Sequence, residues 1–148
     1  EAFQGYWRRP DADTKAIKQG WYFTSDTGYF DADGDLFVTG RVDDLIITGG
    51  ENVSPAEIEN VLSVHPKVEE VVVAGLPDEQ WGQVVAAFVK CREPISEEEL
   101  GRHCVSAGLA RFKRPRRYLF VEEIPKSAVG KVLRRVLLTE RADQMQAN

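Results

Sequence analysis

Asp44-Leu45-Ile46-Ile47-Thr48-Gly49-Gly50-Glu51-Asn52-Val53-Ser54-Pro55-Ala56-Glu57-Ile58-Glu59 passes from an apolar run, through paired glycines, into a helix start. Ser54 reads as the N-cap, Pro55 as the first helical position and Glu57 as the glutamate that completes a capping box. Ile58, Val61 and Leu62 give that helix one apolar face, and Pro66 ends it. Two nearly unbroken apolar runs follow, Val68 to Leu76 and Val84 to Cys91, as expected of strands buried on both faces. Ser96 with Glu99 opens a second capped helix through Ser106, which Gly108 closes. Tyr118 to Val121 reads as a further strand. The loop Pro125-Lys126-Ser127-Ala128-Val129-Gly130-Lys131 then leads into a last helix, with Val132, Leu133, Val136 and Leu137 at helical spacing. From Asp44 onward the pattern predicts a small α+β domain, helices packed on a short sheet.

Upstream, Glu1 to Gly20 reads as loop with a short helix. The aromatic and β-branched run Trp21 to Phe30, the turn signal Asp33-Gly34 and then Leu36 to Thr39 predict a β-hairpin. With Asp33-Gly34 as a two-residue loop, Ala32 pairs with Asp35 and every further pair has numbers summing to 67, which sets Asp26 opposite Arg41. A shift in composition near Asp43 divides the chain into 1–43 and 44–148. Asp31, Asp33 and Asp35 invite a calcium-loop reading, but that loop needs glycine at its sixth position and glutamate at its twelfth, where this chain has Leu36 and Val42. Calcium is rejected and the turn kept.

The 148 residues begin at Glu1 and hold a single methionine, Met145, so the chain reads as a piece of a longer protein. Hydrophobic residues at 43% and charged residues at 29% are those of a globular protein. No apolar run approaches the roughly 20 residues of a membrane helix, and the expectation is a cytoplasmic protein with no membrane span. Cys91, Cys104, His65 and His103 show no metal-ligand spacing, so no metal site is expected. A net charge of −5 argues against general nucleic-acid binding. Between Arg111 and Arg135, however, nine bases face only Glu122 and Glu123. Such an excess suits a phosphate-bearing small molecule, although a solvated face would look the same.

No Walker loop, Rossmann glycine fingerprint or Gly-x-Ser-x-Gly elbow is present. What the chain does hold, in order, is Tyr22-Phe23-Thr24-Ser25-Asp26, then Gly40-Arg41-Val42-Asp43 running on into the Asp44 to Glu59 stretch, then Pro125 to Lys131. This ordered set resembles the C-terminal motifs of the acyl-adenylate-forming superfamily, and within it is most similar to acyl- and aryl-CoA ligases such as chlorobenzoate-CoA ligase. Phe112-Lys113-Arg114-Pro115-Arg116-Arg117-Tyr118 strengthens that likeness. The resemblance implies that 1–43 is the end of a large N-terminal adenylation domain, a β-hairpin remnant, and that 44–148 is a C-terminal lid domain.

It also implies roles. Asp26 would accept hydrogen bonds from the ribose hydroxyls of ATP, with Arg41 beside it. An opposite-charge cross-strand pair is otherwise ordinary surface stabilisation of about 0.2–1 kcal/mol. Asp43 would be the hinge on which the lid pivots. Gly49 and Gly50 would line a pantetheine tunnel with Trp81, where the plain alternatives are a tight turn and half-buried packing. Many superfamily members carry lysine where this chain has Ile47, so that contact is not carried over. Phe112, Arg114 and Arg116 would hold the CoA nucleotide, ring on adenine and guanidinium on phosphate. Lys131 would be the catalytic lysine that stabilises charge on the α-phosphate as the carboxylate attacks. Its place at a helix start, beside the positive end of the dipole, invites a functional explanation.

The implied reaction converts a carboxylic acid and Mg-ATP to an acyl-adenylate and then to an acyl-CoA, with Mg2+ and CoA required and this segment inactive without its N-terminal domain. Alternatives are an adenylation domain loading a carrier protein and a non-catalytic nucleotide-binding module. The Pro-Lys-x-x-x-Gly-Lys context of Lys131 resembles that of ligases switched off by lysine acylation, which implies an acetyltransferase and a deacetylase as partners.

Overall fold

The computed structural model describes residues 3–139. Two compact units divide between Asp43 and Asp44.

In the first unit, helix α1 (Pro10–Ala16) precedes a minimal ladder of β1 (Ile17–Lys18) and β2 (Trp21–Tyr22), so Trp21 and Tyr22 leave the strand that the sequence assigns them to. The hairpin itself is β3 (Asp26–Phe30) with β4 (Leu36–Arg41). Its loop has three residues, not two. Asp31 N donates to the Asp35 carbonyl at 3.0 Å, Gly34 N donates to the Asp31 carbonyl, and Gly34 sits at φ +86°, the type I turn plus left-handed residue of three-residue hairpins. The Asp31 carboxylate accepts from Asp33 N and Asp35 N, a local competition that favours the longer loop. Ala32 therefore does not pair with Asp35, and the ladder runs Phe30 to Leu36, Tyr29 to Phe37 and Gly28 to Val38. One extra residue, Thr39, then bulges from β4 with its hydroxyl on the Thr27 carbonyl, and the register beyond it is Thr27 to Gly40 and Asp26 to Arg41. The bulge cancels the longer loop, and Asp26 still meets Arg41. No described residue of this unit is buried: Trp7, Trp21, Phe30 and Val38 are 84%, 75%, 70% and 65% exposed.

The second unit is α+β. It holds β5 (Ile46–Thr48), β6 (Glu51–Val53), α2 (Pro55–Ser63), β7 (Val68–Asp78), β8 (Gly82–Cys91), α3 (Glu97–Ser106), β9 (Arg117–Phe120) and a helical segment α4 over 134–139. The sheet order is β6-β5-β8-β7, with β9 joined to β8 in parallel and the other pairs antiparallel. The β7–β8 ladder is its axis. Because side chains alternate faces along a strand, Val71, Val73, Val85, Ala87 and Val89 fall on one face with Ile58 and Leu62 of α2 and Leu100 and Cys104 of α3. Val72, Ala74, Leu76, Val84, Ala86 and Phe88 fall on the other, under Ile124 and Leu137. The unbroken apolar runs are the signature of this two-sided burial.

Two helix starts differ in kind. Ser96 accepts from Glu99 N at 3.2 Å, as expected. Ser54 holds the N-cap position of α2 with Pro55 behind it, but its side chain makes no capping bond. Both Glu57 oxygens lie 2.8 Å from Lys113 Nζ, a pairing across 56 residues. Among the described residues no helix is long and apolar enough to cross a membrane.

Phe88 is fully buried in the centre of β8. Phe88→Ala removes the largest side chain of the second face and should cost about 3–5 kcal/mol, read from the midpoint of urea unfolding at unchanged slope. Ser96→Ala should cost only about 1 kcal/mol.

Candidate functional site

In the first unit the chain approaches Asp26 through a strained residue. Ser25 sits at φ +62°, a left-handed conformation that costs a non-glycine residue about 1–3 kcal/mol. The Ser25 carbonyl is held by Val42 N at 2.8 Å, and Asp26 N donates to Thr24 Oγ1 at 3.1 Å. Arg41 donates to the Thr24 carbonyl at 3.1 Å, while its Nε stands 3.8 Å from Asp26 Oδ1. That separation is an ion pair without a hydrogen bond. The carboxylate, 42% exposed, is oriented by Arg41 but retains acceptor capacity for another donor. A cleft of about 470 Å³ opens beside it, bordered by Lys18, Tyr22, Phe23 and Thr24.

Three of the sequence-selected residues meet in the second unit. Gly49 and Gly50 form a two-residue turn between β5 and β6, both with positive φ, +58° and +85°, as a type I′ turn requires. The space above Gly49 is taken: a Cβ there would lie 2.8 Å from the Trp81 ring, and Gly49 N donates to the Trp81 carbonyl at 3.0 Å. Above Gly50 nothing lies within 4 Å. Of the two glycines, only Gly50 keeps its missing side chain as open space. Trp81 is itself fixed by Asp78 Oδ1, which accepts from Gln80 N and Trp81 N. The Arg116 guanidinium lies 4.5 Å from the Trp81 ring centroid, a cation–π contact worth about 0.5–1 kcal/mol at an exposed site.

Phe112 and Arg114 are disposed differently. Phe112 is 41% exposed in the short 3-10 turn Arg111–Lys113, with Lys113 Nζ 5.9 Å from its ring. Arg114 is half-buried, and its Nε donates to the Leu109 carbonyl at 2.8 Å. Asp43 is the middle residue of the 3-10 turn Val42–Asp44.

Lys131 is not at a helix start. Val132 pairs with Lys126 in an isolated bridge, and the helix begins only at residue 134. The dipole argument therefore does not apply, and a tight loop takes its place. Gly130 N donates to the Ser127 carbonyl, Ser127 N to the Lys131 carbonyl, both at 2.8 Å, and Lys131 N to Ser127 Oγ at 3.1 Å. Gly130 turns the chain at φ +78°. The second unit has five lysines. Lys67, Lys90, Lys113 and Lys126 each sit within 3 Å of a glutamate, respectively Glu99, Glu69, Glu57 and Glu70. Of the lysines of this unit, Lys131 alone has no carboxylate partner among the described residues, and it is exposed.

Cys104 is a packing residue: burial raises its thiol, whose Sγ lies 3.8 Å from the Tyr118 hydroxyl, and an unionised buried thiol is a poor nucleophile. The sequence reading missed Arg134, whose guanidinium meets Asp44 Oδ2 at 3.3 Å and Glu59 Oε1 at 2.7 Å. Nothing local to Arg134 signals partners 90 and 75 residues away.

Gly49→Ala should displace the Trp81 indole, because both the φ of +58° and the 2.8 Å approach forbid a Cβ. With Trp7 and Trp21 changed to phenylalanine, the emission of Trp81 should shift to the red. An unchanged spectrum would show that the turn relaxes instead.

Residues 57–131 match the family described as AMP-binding enzyme C-terminal domain. The chain is 51% identical over 135 residues to a 2-succinylbenzoate–CoA ligase of Geobacillus kaustophilus, covering 90% of this chain and 28% of the relative. It is 48% identical over 135 residues to a 4-chlorobenzoate–CoA ligase of an Arthrobacter species, with 91% and 26% covered. Among solved structures it is similar to o-succinylbenzoate CoA synthetase from Bacillus subtilis in complex with its acyl-adenylate intermediate, at a TM-score of 0.84 and 40% identity over 90% of this chain and 28% of that one. An ATP-bound chimera gives a TM-score of 0.87 at 35% identity, covering 95% and 28%. The chain thus spans little more than a quarter of the length of these relatives. By the match over half its residues, the α+β unit and the sequence around it belong to the family of AMP-binding enzyme C-terminal domains.

Proposed function

We propose that this chain is the C-terminal part of an ATP-dependent acid–thiol ligase, which activates a carboxylic acid as its acyl-adenylate and transfers the acyl group to CoA. The observation that carries the reading is Lys131: the one lysine of its unit with no carboxylate partner among the described residues, held at the tip of a hydrogen-bonded loop. A surface charge of this kind is in place to meet an anion that the chain itself does not supply. In the first half-reaction the substrate carboxylate attacks the α-phosphate, pyrophosphate leaves, and the Lys131 ammonium faces the charge that builds on the phosphate oxygens. The Asp26 carboxylate, with acceptor capacity to spare, takes ribose hydroxyls, and Arg41 orients it.

Residues 1–43 are the end of the N-terminal adenylation domain. The bare apolar surfaces of Trp21, Phe30 and Val38 support this, since a hairpin with no buried residue needs a larger body to cover it. Asp43 is the pivot, a single turn between two compact units. In the second half-reaction Gly50 offers the open backbone along which a pantetheine arm runs, Trp81 and Gly49 form its wall, and Arg116, Arg114 and Phe112 face the CoA nucleotide. Mg2+ would enter with the nucleotide phosphates. Among the described residues no group of three His, Cys, Asp or Glu is placed to hold a metal. ATP and CoA as substrates place the enzyme in the cytoplasm.

Lys131→Ala in the full-length enzyme should slow adenylation about 10²–10³-fold, the worth of one transition-state charge contact of roughly 3–4 kcal/mol. Preformed acyl-adenylate should still be converted to thioester. Single-turnover measurement of each step decides this, and equal loss of both would overturn the reading. Pyrophosphate exchange by the isolated 148-residue chain should be absent. Acetylation of Lys131 by a lysine acetyltransferase, reversed by a deacetylase, would remove the same charge. Stoichiometrically acetylated enzyme should match Lys131→Ala in the first step, and full activity would refute the switch.

A further inference from the structure

The loop that carries Lys131 is shaped by its own hydrogen bonds, Ser127 to Lys131, Gly130 to Ser127 and Leu133 to Pro125, and none of these reaches the sheet. Its attachment to the domain is made at its two ends. On the entry side Ile124 is buried and Lys126 pairs with Glu70 of β7 at 2.7 Å. On the exit side Val132 packs against the core under the sheet, and the first polar attachment is Arg134, three residues beyond Lys131, ahead of the buried Leu137. Arg134 spreads its guanidinium over three acceptors from three parts of the unit: Asp44 Oδ2 at 3.3 Å, Glu59 Oε1 of α2 at 2.7 Å and, more loosely, the Val73 carbonyl of β7 at 3.4 Å. The same Glu59 oxygen accepts from Val73 N at 2.8 Å, so helix, strand and arginine close one network.

We propose that Arg134 is a positioning residue for the first half-reaction, fixing the Lys131 ammonium relative to the body of the second unit. The inference rests on the reading of Lys131 as the first-step charge. Two properties of the network support it. The guanidinium is 27% exposed and the Glu59 carboxylate 20%, so this pair is better shielded than any of the four lysine–glutamate pairs of the unit. A planar fork can satisfy diverging acceptors at once, which a lysine cannot. With Arg134 removed, the exit side of the loop is held by the apolar packing of Val132, Leu137 and Leu138, which fixes depth better than direction. A displacement of about 1 Å at the ammonium is enough to cost a step up to 10²-fold.

The test is a double-mutant cycle in the full-length enzyme, using Lys131→Ala, Arg134→Met and both together, with each half-reaction measured in single turnover. Arg134→Met should slow adenylation about ten-fold or more with the KM for ATP little changed, spare thioester formation from preformed acyl-adenylate, and change adenylation by less than about two-fold once Lys131 is alanine. Arg134→Lys should recover part of the loss. A merely structural arginine would instead lower both steps together, or impose the same penalty with and without Lys131, and either result overturns the inference. If Arg134→Met melts below the assay temperature, Asp44→Ala, which leaves the Glu59–Val73 bond intact, carries the same cycle with the same criteria. The two readings fail separately. An undiminished first step in Lys131→Ala removes the lysine reading and this inference with it, whereas a large loss in Lys131→Ala to which Arg134→Met adds its full penalty removes this inference alone.

Discussion

The constraint on which the second unit depends is that both faces of the β7–β8 ladder must leave water. Ten cross-strand pairs from Val68 to Asp78 present apolar side chains alternately up and down, and a sheet so composed is stable only between two layers. Helices α2 and α3 cover one face, bringing Ile58, Leu62, Leu100 and Cys104 onto Val71, Val73 and Val89. They leave Phe88 and its neighbours uncovered, and the chain must come back across the opposite side to bury them under Ile124 and Leu137. The returning segment carries the Pro125 to Lys131 loop between those two anchors. The location of Lys131 thus follows from a packing requirement that has nothing to do with chemistry, and its use follows from where that requirement leaves it.

A second problem arises at the outer edge of β7, where backbone groups have no neighbouring strand to bond. An open edge of this length invites pairing with another chain. Here charged side chains occupy it. Glu59 accepts the Val73 N–H and Arg134 donates to the Val73 carbonyl, while Glu69 with Lys90 and Glu70 with Lys126 place ion pairs along the same strand. The hydrogen bond from Lys90 holds the Glu69 carboxyl below the ordinary glutamate range. Edge protection and the anchoring of the last segment are therefore one structure, and a change at Arg134 touches both.

Much of this was readable in the sequence because it is local or periodic. The two apolar runs, the Ser96 cap, the Gly108 stop and the division after Asp43 rest on patterns that a short window contains. Where reading and structure part, a long-range partner or a backbone detail intervenes. Ser54 and Glu57 have the right spacing for a capping box, but the Ser54 side chain makes no capping bond and Glu57 pairs with Lys113 from across the fold. The two-residue loop at Asp33-Gly34 lost to a three-residue loop because Asp31 can bond two backbone N–H groups at once. The compensating bulge at Thr39 then kept Asp26 opposite Arg41, a correct pairing reached through a register that is wrong over the distal half of the hairpin. Gly28 marks that bulge, since a Cβ there would sit 2.6 Å from the Phe37 carbonyl oxygen, and a glycine inside a strand was the available hint. The helical spacing of Val132 and Leu133 extended α4 too far toward its start, because apolar spacing cannot tell a bridge residue from a helical one. Arg134 had no signal of any kind short of the fold.

The exposure of Lys131 bears on how the residue proposed for the first half-reaction can be silent in this segment and still act in a larger enzyme. At a water-exposed surface a unit charge meeting an anion at 4 Å gains about 1 kcal/mol, and salt screens even that. Four neighbouring lysines show what such charges do when a carboxylate is in reach, and each pair contributes little to stability. Leaving Lys131 without one consequently costs the fold almost nothing. The value of the same ammonium changes when water is excluded around it, where an effective dielectric near 20 raises the interaction to about 4 kcal/mol. That is the magnitude expected of a single group stabilising charge in a transition state. An unpaired lysine on a short, internally bonded loop thus costs little in this unit by itself, and in the proposed function it becomes effective only where water is excluded and an anion is brought to it. The loop hydrogen bonds limit the freedom lost at that moment, so the residue can be both exposed and prepared.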